Sequence, residues 1–222
     1  MTTPALNWYH LADSAFPTGG FAFSSGIEAS AKFGLFTNRG QFMDTLRSAL
    51  EQWVTYEIPF INSCFDEKED VDALRESYHA GMTSSPMLRG SLVQGRSMLR
   101  SLEQLLGAEA LKSTRERLPR NPERRHLLLV YGWGLAELGM PLTEAKNCFL
   151  YINVRDAISS AIRLGCIGPM EGHRMQHQLL QEGESLLSIQ PLRDYRSARR
   201  NAPALEIAQA GHDRIYSKLF QS

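Results

Sequence analysis

Apolar residues recur along this chain at intervals of three and four, and nowhere does a convincing strand-like alternation take over. Trp8, Leu11, Ala12 and Ala15 fall on one face of a short helix, which Pro17, Gly19 and Gly20 stop. A second helix is predicted from Ser24 through Ile27, Ala31 and Phe33, with Gly34 as its C-terminal cap. Thr37 or Asn38 can cap a third, whose stripe is Phe42, Leu46, Ala49, Leu50 and Trp53. Pro59 is expected to end or kink it, because proline lacks a backbone donor. The charged run 66–70 reads as solvated. Residues 71–80 form a short helix, 81–86 a small-residue connection, and 87–106 a longer helix with the stripe Leu88, Leu92, Met98, Leu99, Leu102 and Leu106. The basic stretch 113–125, with Pro119 and Pro122, reads as a loop.

Residues 123–138 are helical and very apolar on one side, and Gly139, Met140 and Pro141 punctuate the chain after them. The segment 143–164 is apolar over most of its surface and is predicted to be the central buried helix, broken by Gly165 and Gly168. Residues 170–189 are amphipathic, and 191–202 form an arginine-rich loop. Pro203 suits a helix first turn and opens a last helix to about Phe220. The expectation is one all-α domain over 1–222, a bundle of roughly eight to ten helices. No fixed-period repeat or low-complexity linker interrupts it.

Composition narrows the class. The 222 residues carry 24 Lys+Arg against 24 Asp+Glu, a formal net charge of zero, with 43% hydrophobic residues. A chain of this size buries enough surface to fold without disulfides or a structural metal. Nucleic-acid binders usually carry a basic excess that displaces counterions, so no nucleic-acid partner is expected. Zero net charge leaves little self-repulsion against protein association. Cys64, Cys148 and Cys166 form no C-x-x-C pair and read as small buried hydrophobes in a reducing compartment. The first residues lack the basic and apolar regions of a secretory signal. No apolar run approaches the ~20 residues that span a bilayer. A cytoplasmic protein with no membrane partner is expected.

Candidate chemistry is sparse. The stretch Gly19 to Gly26 precedes a helix, but Ile27-Glu28 stand where a phosphate loop needs Lys-Ser/Thr. Phe23-Ser24-Ser25-Gly26 resembles half of a nucleophile elbow, yet Ala22 replaces the first glycine and no strand precedes it. Ser24 or Ser25 as a helix cap is the better reading. His173 and His177 are four apart, hence on one helix face, with Glu171 near. Arg174 stands where a metalloprotease pattern has glutamate, and no third ligand follows. His10, His79 and His126 stand alone. The sequence therefore assigns no catalytic residue, no metal ligand and no cofactor. A metal- or serine-dependent hydrolase built on His173/His177 or on Ser24, and a generic helical scaffold, remain as alternatives. Arg193, Arg196, Arg199 and Arg200 form a positive patch, read as a solvated loop or as a dock for an acidic surface. The stripe Leu205, Ala208, His212, Ile215, Tyr216 and Leu219, with Phe220 beyond, must bury itself against its own domain or a partner.

Four segments together resemble the F-type urease accessory proteins. Residues 11–28 (LADSAFPTGGFAFSSGIE) are similar to that family's LADSAxPxGxFxxSxGLE stretch, and Gln94-Gly95-Arg96-Ser97-Met98-Leu99 to its G-R-x-x-L helix. Residues 161–168 resemble A-x-R-L-x-x-x-G, and 212–222 resemble H-x-x-x-Y-x-R-L-F-x-S. Lys218 departs from the family's arginine and loses its bidentate fork. Pro169 and Met170 follow Gly168 where glutamine is common. The resemblance implies a helical, dimerising protein without a catalytic centre. It implies partners in a D/H-type urease accessory protein, a G-type GTPase and apo-urease, during nickel insertion and lysine carbamylation. Two contact regions are expected, an N-terminal segment (about 1–35) and a C-terminal tail (about 191–222). Phe16, Pro17, Gly19, Phe21, Phe23, Ser24, Gly26 and Glu28 fall in the first. His212, Tyr216, Lys218, Leu219 and Phe220 fall in the second, and Arg96 and Arg163 join them from the middle motifs. Aromatic and cationic side chains are the usual energetic centres of an interface.

Overall fold

The computed structural model describes residues 4–221. Its helices are α1 (Pro4–Leu11), α2 (Ile27–Lys32), α3 (Arg39–Gln52), α4 (Ile58–Cys64), α5 (Val71–Ala80), α6 (Ser85–Leu106), α7 (Lys112–Arg117), α8 (Leu127–Glu137), α9 (Leu142–Arg163), α10 (Pro169–Ile189) and α11 (Pro203–Ala210). Short 3₁₀ turns join several of them, and no strand occurs among the described residues. The fold is all-α, as the periodicity predicts, and none of these helices is long and apolar enough to cross a membrane.

Local chemistry sets the boundaries. Asn38 caps α3 by accepting the Gln41 N–H, while the Gln41 side chain accepts the Thr37 N–H. Gly34 closes α2 with φ +73°, donating to Ala31, as Leu35 donates back to Ser30. Pro59 neither ends nor breaks its helix. A π turn over Trp53–Glu57 joins α3 to α4. The proline ring would press on the Thr55 carbonyl and offers it no N–H. That carbonyl instead accepts from Arg199 N–H at 3.0 Å, and Thr55 Oγ1 donates to the Arg199 carbonyl at 3.0 Å. With this rod taken as one, ten helices occur among the described residues.

Three expectations change. The stretch read as a loop at 113–125 contains α7, because the Glu137 carboxylate accepts from Ser113 N, Thr114 N and Thr114 Oγ1 at 2.7–2.8 Å. A carboxylate at a helix N-terminus supplies the acceptors its own sequence lacks. The central helix is α8 rather than α9: every residue from Leu128 to Leu135 is buried, packed against α4, α6 and α7. On α9 eight of the 22 residues are buried, although it packs against α2, α3, α4, α8 and α10. The last helix stops at Ala210 instead of running to Phe220, for reasons that lie in the site below.

The main core runs from Leu11 to Tyr195 and includes Phe42, Phe60, Ile61, Leu102, Leu129 and Leu135. Close helix approach depends on Gly95, where a Cβ would sit 2.2 Å from the Arg125 carbonyl and 2.7 Å from Leu127 N. Cys64 is buried against α8, Cys148 is half-buried beside Tyr131, and Cys166 is exposed in the turn after α9. The last corrects its reading as a buried hydrophobe.

Candidate interaction site

Glu28, in the first turn of α2, is 1% exposed. A buried carboxylate is costly unless donors surround it. Here Leu219 N–H donates to Oε1 at 2.6 Å, Phe220 N–H donates to Oε2 at 3.1 Å, and His212 Nε2 lies 3.0 Å from Oε2. Gln221 N–H donates to the Ala22 carbonyl at 2.8 Å. These tail amides are spent on the N-terminal segment, so none closes a helical turn. That is why the predicted helix to Phe220 gives way to a 3₁₀ turn, Gly211–Arg214, and an irregular tail. Asp213 in that turn holds Arg89 of α6 through two bonds of 2.6 and 3.1 Å and accepts Lys218 Nζ at its carbonyl.

Arg163, at the end of α9, completes the junction. Its guanidinium carbon lies 3.6 Å from the Phe21 ring centre and 4.2 Å from that of Phe220, and it donates to the Phe21 carbonyl. One cation is thus held between two aromatic faces, an arrangement worth roughly 0.5–2 kcal/mol per pair. Three of the four motif segments meet here, although more than 130 positions separate Phe21 from Arg163.

The predicted contact residues divide by depth. Phe16, Phe23, Ser24, Gly26, Glu28, His212 and Phe220 are buried, while Pro17, Gly19, Phe21, Tyr216, Lys218 and Leu219 are exposed. Phe21 is 69% exposed although it stacks on Arg163, and Leu219 is 52% exposed. Arg96 stands apart, paired with Glu123 at 3.0 Å.

The alternative chemistry loses ground. Ser24 is buried, and its Oγ accepts the Glu28 N–H at 3.2 Å, a helix-starting role. His173 and His177 are exposed, and Glu171 pairs with Arg39 at 2.7 Å. No group of three His, Cys, Asp or Glu side chains able to hold a metal occurs among the described residues. The arginine-rich loop is a strap bonded to the domain. Asn62 donates to the Arg193 carbonyl, Tyr195 N–H donates to Ser63 Oγ, and Arg196 pairs with Glu69 at 2.6 Å.

Two histidines read as solitary are in fact coupled. His79 Nδ1 lies 2.9 Å from His126 Nε2, and His126 Nδ1 lies 3.0 Å from Ser91 Oγ. Burial, reinforced by the neighbouring His79 charge, pushes the His126 pKa down to about 4, so this ring is neutral at pH 7. The 47-residue gap between them gave no sequence signal.

The chain is similar to known proteins over most of its length. The UreF family model matches residues 36–180. Urease accessory protein F of Arabidopsis thaliana is 27% identical over 98% of this chain and 93% of its own length. Its counterpart in Oryza sativa subsp. indica is 26% identical over 96% and 83%. Urease accessory protein UreF of Paenarthrobacter aurescens (strain TC1) is 26% identical over 99% of both chains. These alignments extend over the N-terminal segment and tail that lie outside the family model. The chain belongs to the UreF family.

Proposed function

We propose that this protein is a non-catalytic, cytoplasmic urease maturation factor. It bridges a D/H-type accessory protein, a G-type GTPase and apo-urease while nickel, the cargo, is inserted, and it does so as a homodimer. The names of its relatives support the urease assignment. The observation that carries the bridging role is the junction of α2, α9 and the tail. Glu28 and Arg163 fix it from inside, so Phe21 and Leu219 are presented on the outside rather than lost to the core. Rigid aromatic and cationic anchors lose little entropy on docking. The N-terminal segment and tail act together as one partner-binding region of a single helical domain.

Replacing exposed Phe21 by alanine tests this. Phe21→Ala is expected to keep its helical circular dichroism but lose co-purification with the D/H-type protein. It is also expected to fail to restore urease activity in cells lacking the native gene. Full restoration at limiting nickel would remove the junction from the partner interface. Full urease activity in the deletion strain itself would overturn the maturation role.

A further inference from the structure

A groove of about 630 Å³ lies between α1 and one face of α9. On α9 its wall includes Glu144, Tyr151 and Arg155, spaced i, i+7 and i+11, so all three share one side of the helix. Trp8 and Tyr9 of α1 and Asp13 just beyond it also line it. Two of the three rings are open to solvent, Tyr9 at 74% and Tyr151 at 38% exposure, and Trp8 is half-buried. Arg155 ties α9 to the end of α1 by donating to the Ala12 carbonyl. The groove borders the junction of α2, α9 and the tail, because Ser14 and Arg155 also line the hollow walled by Phe21 and Arg163.

Its charges are unbalanced. Arg155 Nε and Nη2 hold Asp156 Oδ1 at 2.9 and 2.7 Å, which neutralises that guanidinium. Glu144 and Asp13 are exposed, and neither pairs with a cation among the described residues. Asp13 Oδ1 accepts only a neutral donor, the Ala15 N–H at 2.8 Å. Two uncompensated carboxylates therefore share the groove with three aromatic rings. Aromatic faces attract cations, more strongly as water is excluded. An apolar segment laid here would strip water from both carboxylates without replacing it, and an acidic one would be repelled. A cation carried on an apolar stem suits both the rings and the carboxylates.

We propose that the groove between α1 and α9 seats a lysine or arginine side chain of a partner protein, its stem against Trp8, Tyr9 and Tyr151 and its charge against Glu144 and Asp13. The inference rests on the reading of this protein as a partner-binding scaffold and adds the chemistry of what is bound. The chain as a whole has no net charge, so the preference for a cation is local to this groove. Phe21→Ala tests the junction and the titration below tests the groove, so either can fail while the other stands.

The probe is the tripeptide acetyl-Gly-Arg-Gly-amide, and the readout is the indole N–H signal of Trp8 in the nitrogen-15-labelled full chain, assigned by its loss in Trp8→Phe. That signal is expected to shift saturably, with a dissociation constant of roughly 1–10 mM. The same tripeptide with norleucine in place of arginine keeps the stem and lacks the charge, and is expected to bind at least about fivefold more weakly. The double variant Asp13→Asn/Glu144→Gln, altered only at exposed positions, is expected to weaken the arginine peptide by about threefold or more. Equal affinity for the two peptides, an unaltered constant in the double variant, or no shift of the Trp8 signal would each overturn the proposal. A Trp8 signal that moves with protein concentration before any peptide is added would make a second copy of this chain the occupant, and would overturn the assignment to a different partner.

Discussion

The carboxylate of Glu28 illustrates how one buried charge directs backbone. Its three partners come from residues 212, 219 and 220, so removing it leaves two N–H groups and a ring nitrogen without their acceptor, those of Phe220 and His212 in a buried setting. Hydrogen bonds to a charged group contribute about 1.5–3 kcal/mol, and stranded donors add their own desolvation cost. Glu28→Ala is expected to weaken tail docking by roughly 3 kcal/mol, about a hundredfold in the opening equilibrium. Amide exchange of residues 215–221 should accelerate by that factor, and exchange at the native rate would contradict this account. The sequence placed this residue in a phosphate-loop-like stretch that its charge spoils and, through the family resemblance, among the contact residues, with no sign that it holds the tail. Its role needed the tail, 184 positions later, to be visible.

At the scale of elements, the sequence located most helices because capping and periodicity are local. Asn38, Gly34 and Pro203 each mark a boundary for a reason contained within a few residues. The misreadings have distant causes. Helix α7 exists because Glu137 reaches its first amides, and Pro59 is tolerated because Arg199 answers the carbonyl it abandons. Helices α8 and α9 both look apolar, and only the unbroken burial of Leu128 to Leu135 distinguishes the central one. Close approach can be tested at Gly95. A Cβ there would meet the backbone of Arg125 and Leu127, which cannot rotate away. Gly95→Ala is expected to lower the unfolding free energy by about 1–3 kcal/mol in urea titration, despite alanine's better helix propensity. A gain in stability would show that α6 and α8 can separate cheaply.

For the whole molecule, the four motifs told where this chain belongs but not how its parts meet. The sequence joined Phe21 and Phe220 to an interface without indicating that Arg163 sits between them, or that Phe220 is buried. The graded depth of the three thiols has a practical consequence. Burial holds Cys64 far above the usual thiol range and raises Cys148, whereas Cys166, its thiol also raised by partial burial, stays at the surface. Thiolate, not thiol, reacts with electrophiles. Brief treatment of native protein with a maleimide dye is therefore expected to add one label, and treatment in denaturant three, as read by intact mass. That label would stand three residues past Arg163, giving an optical reporter beside the aromatic junction without altering a single side chain of the junction itself.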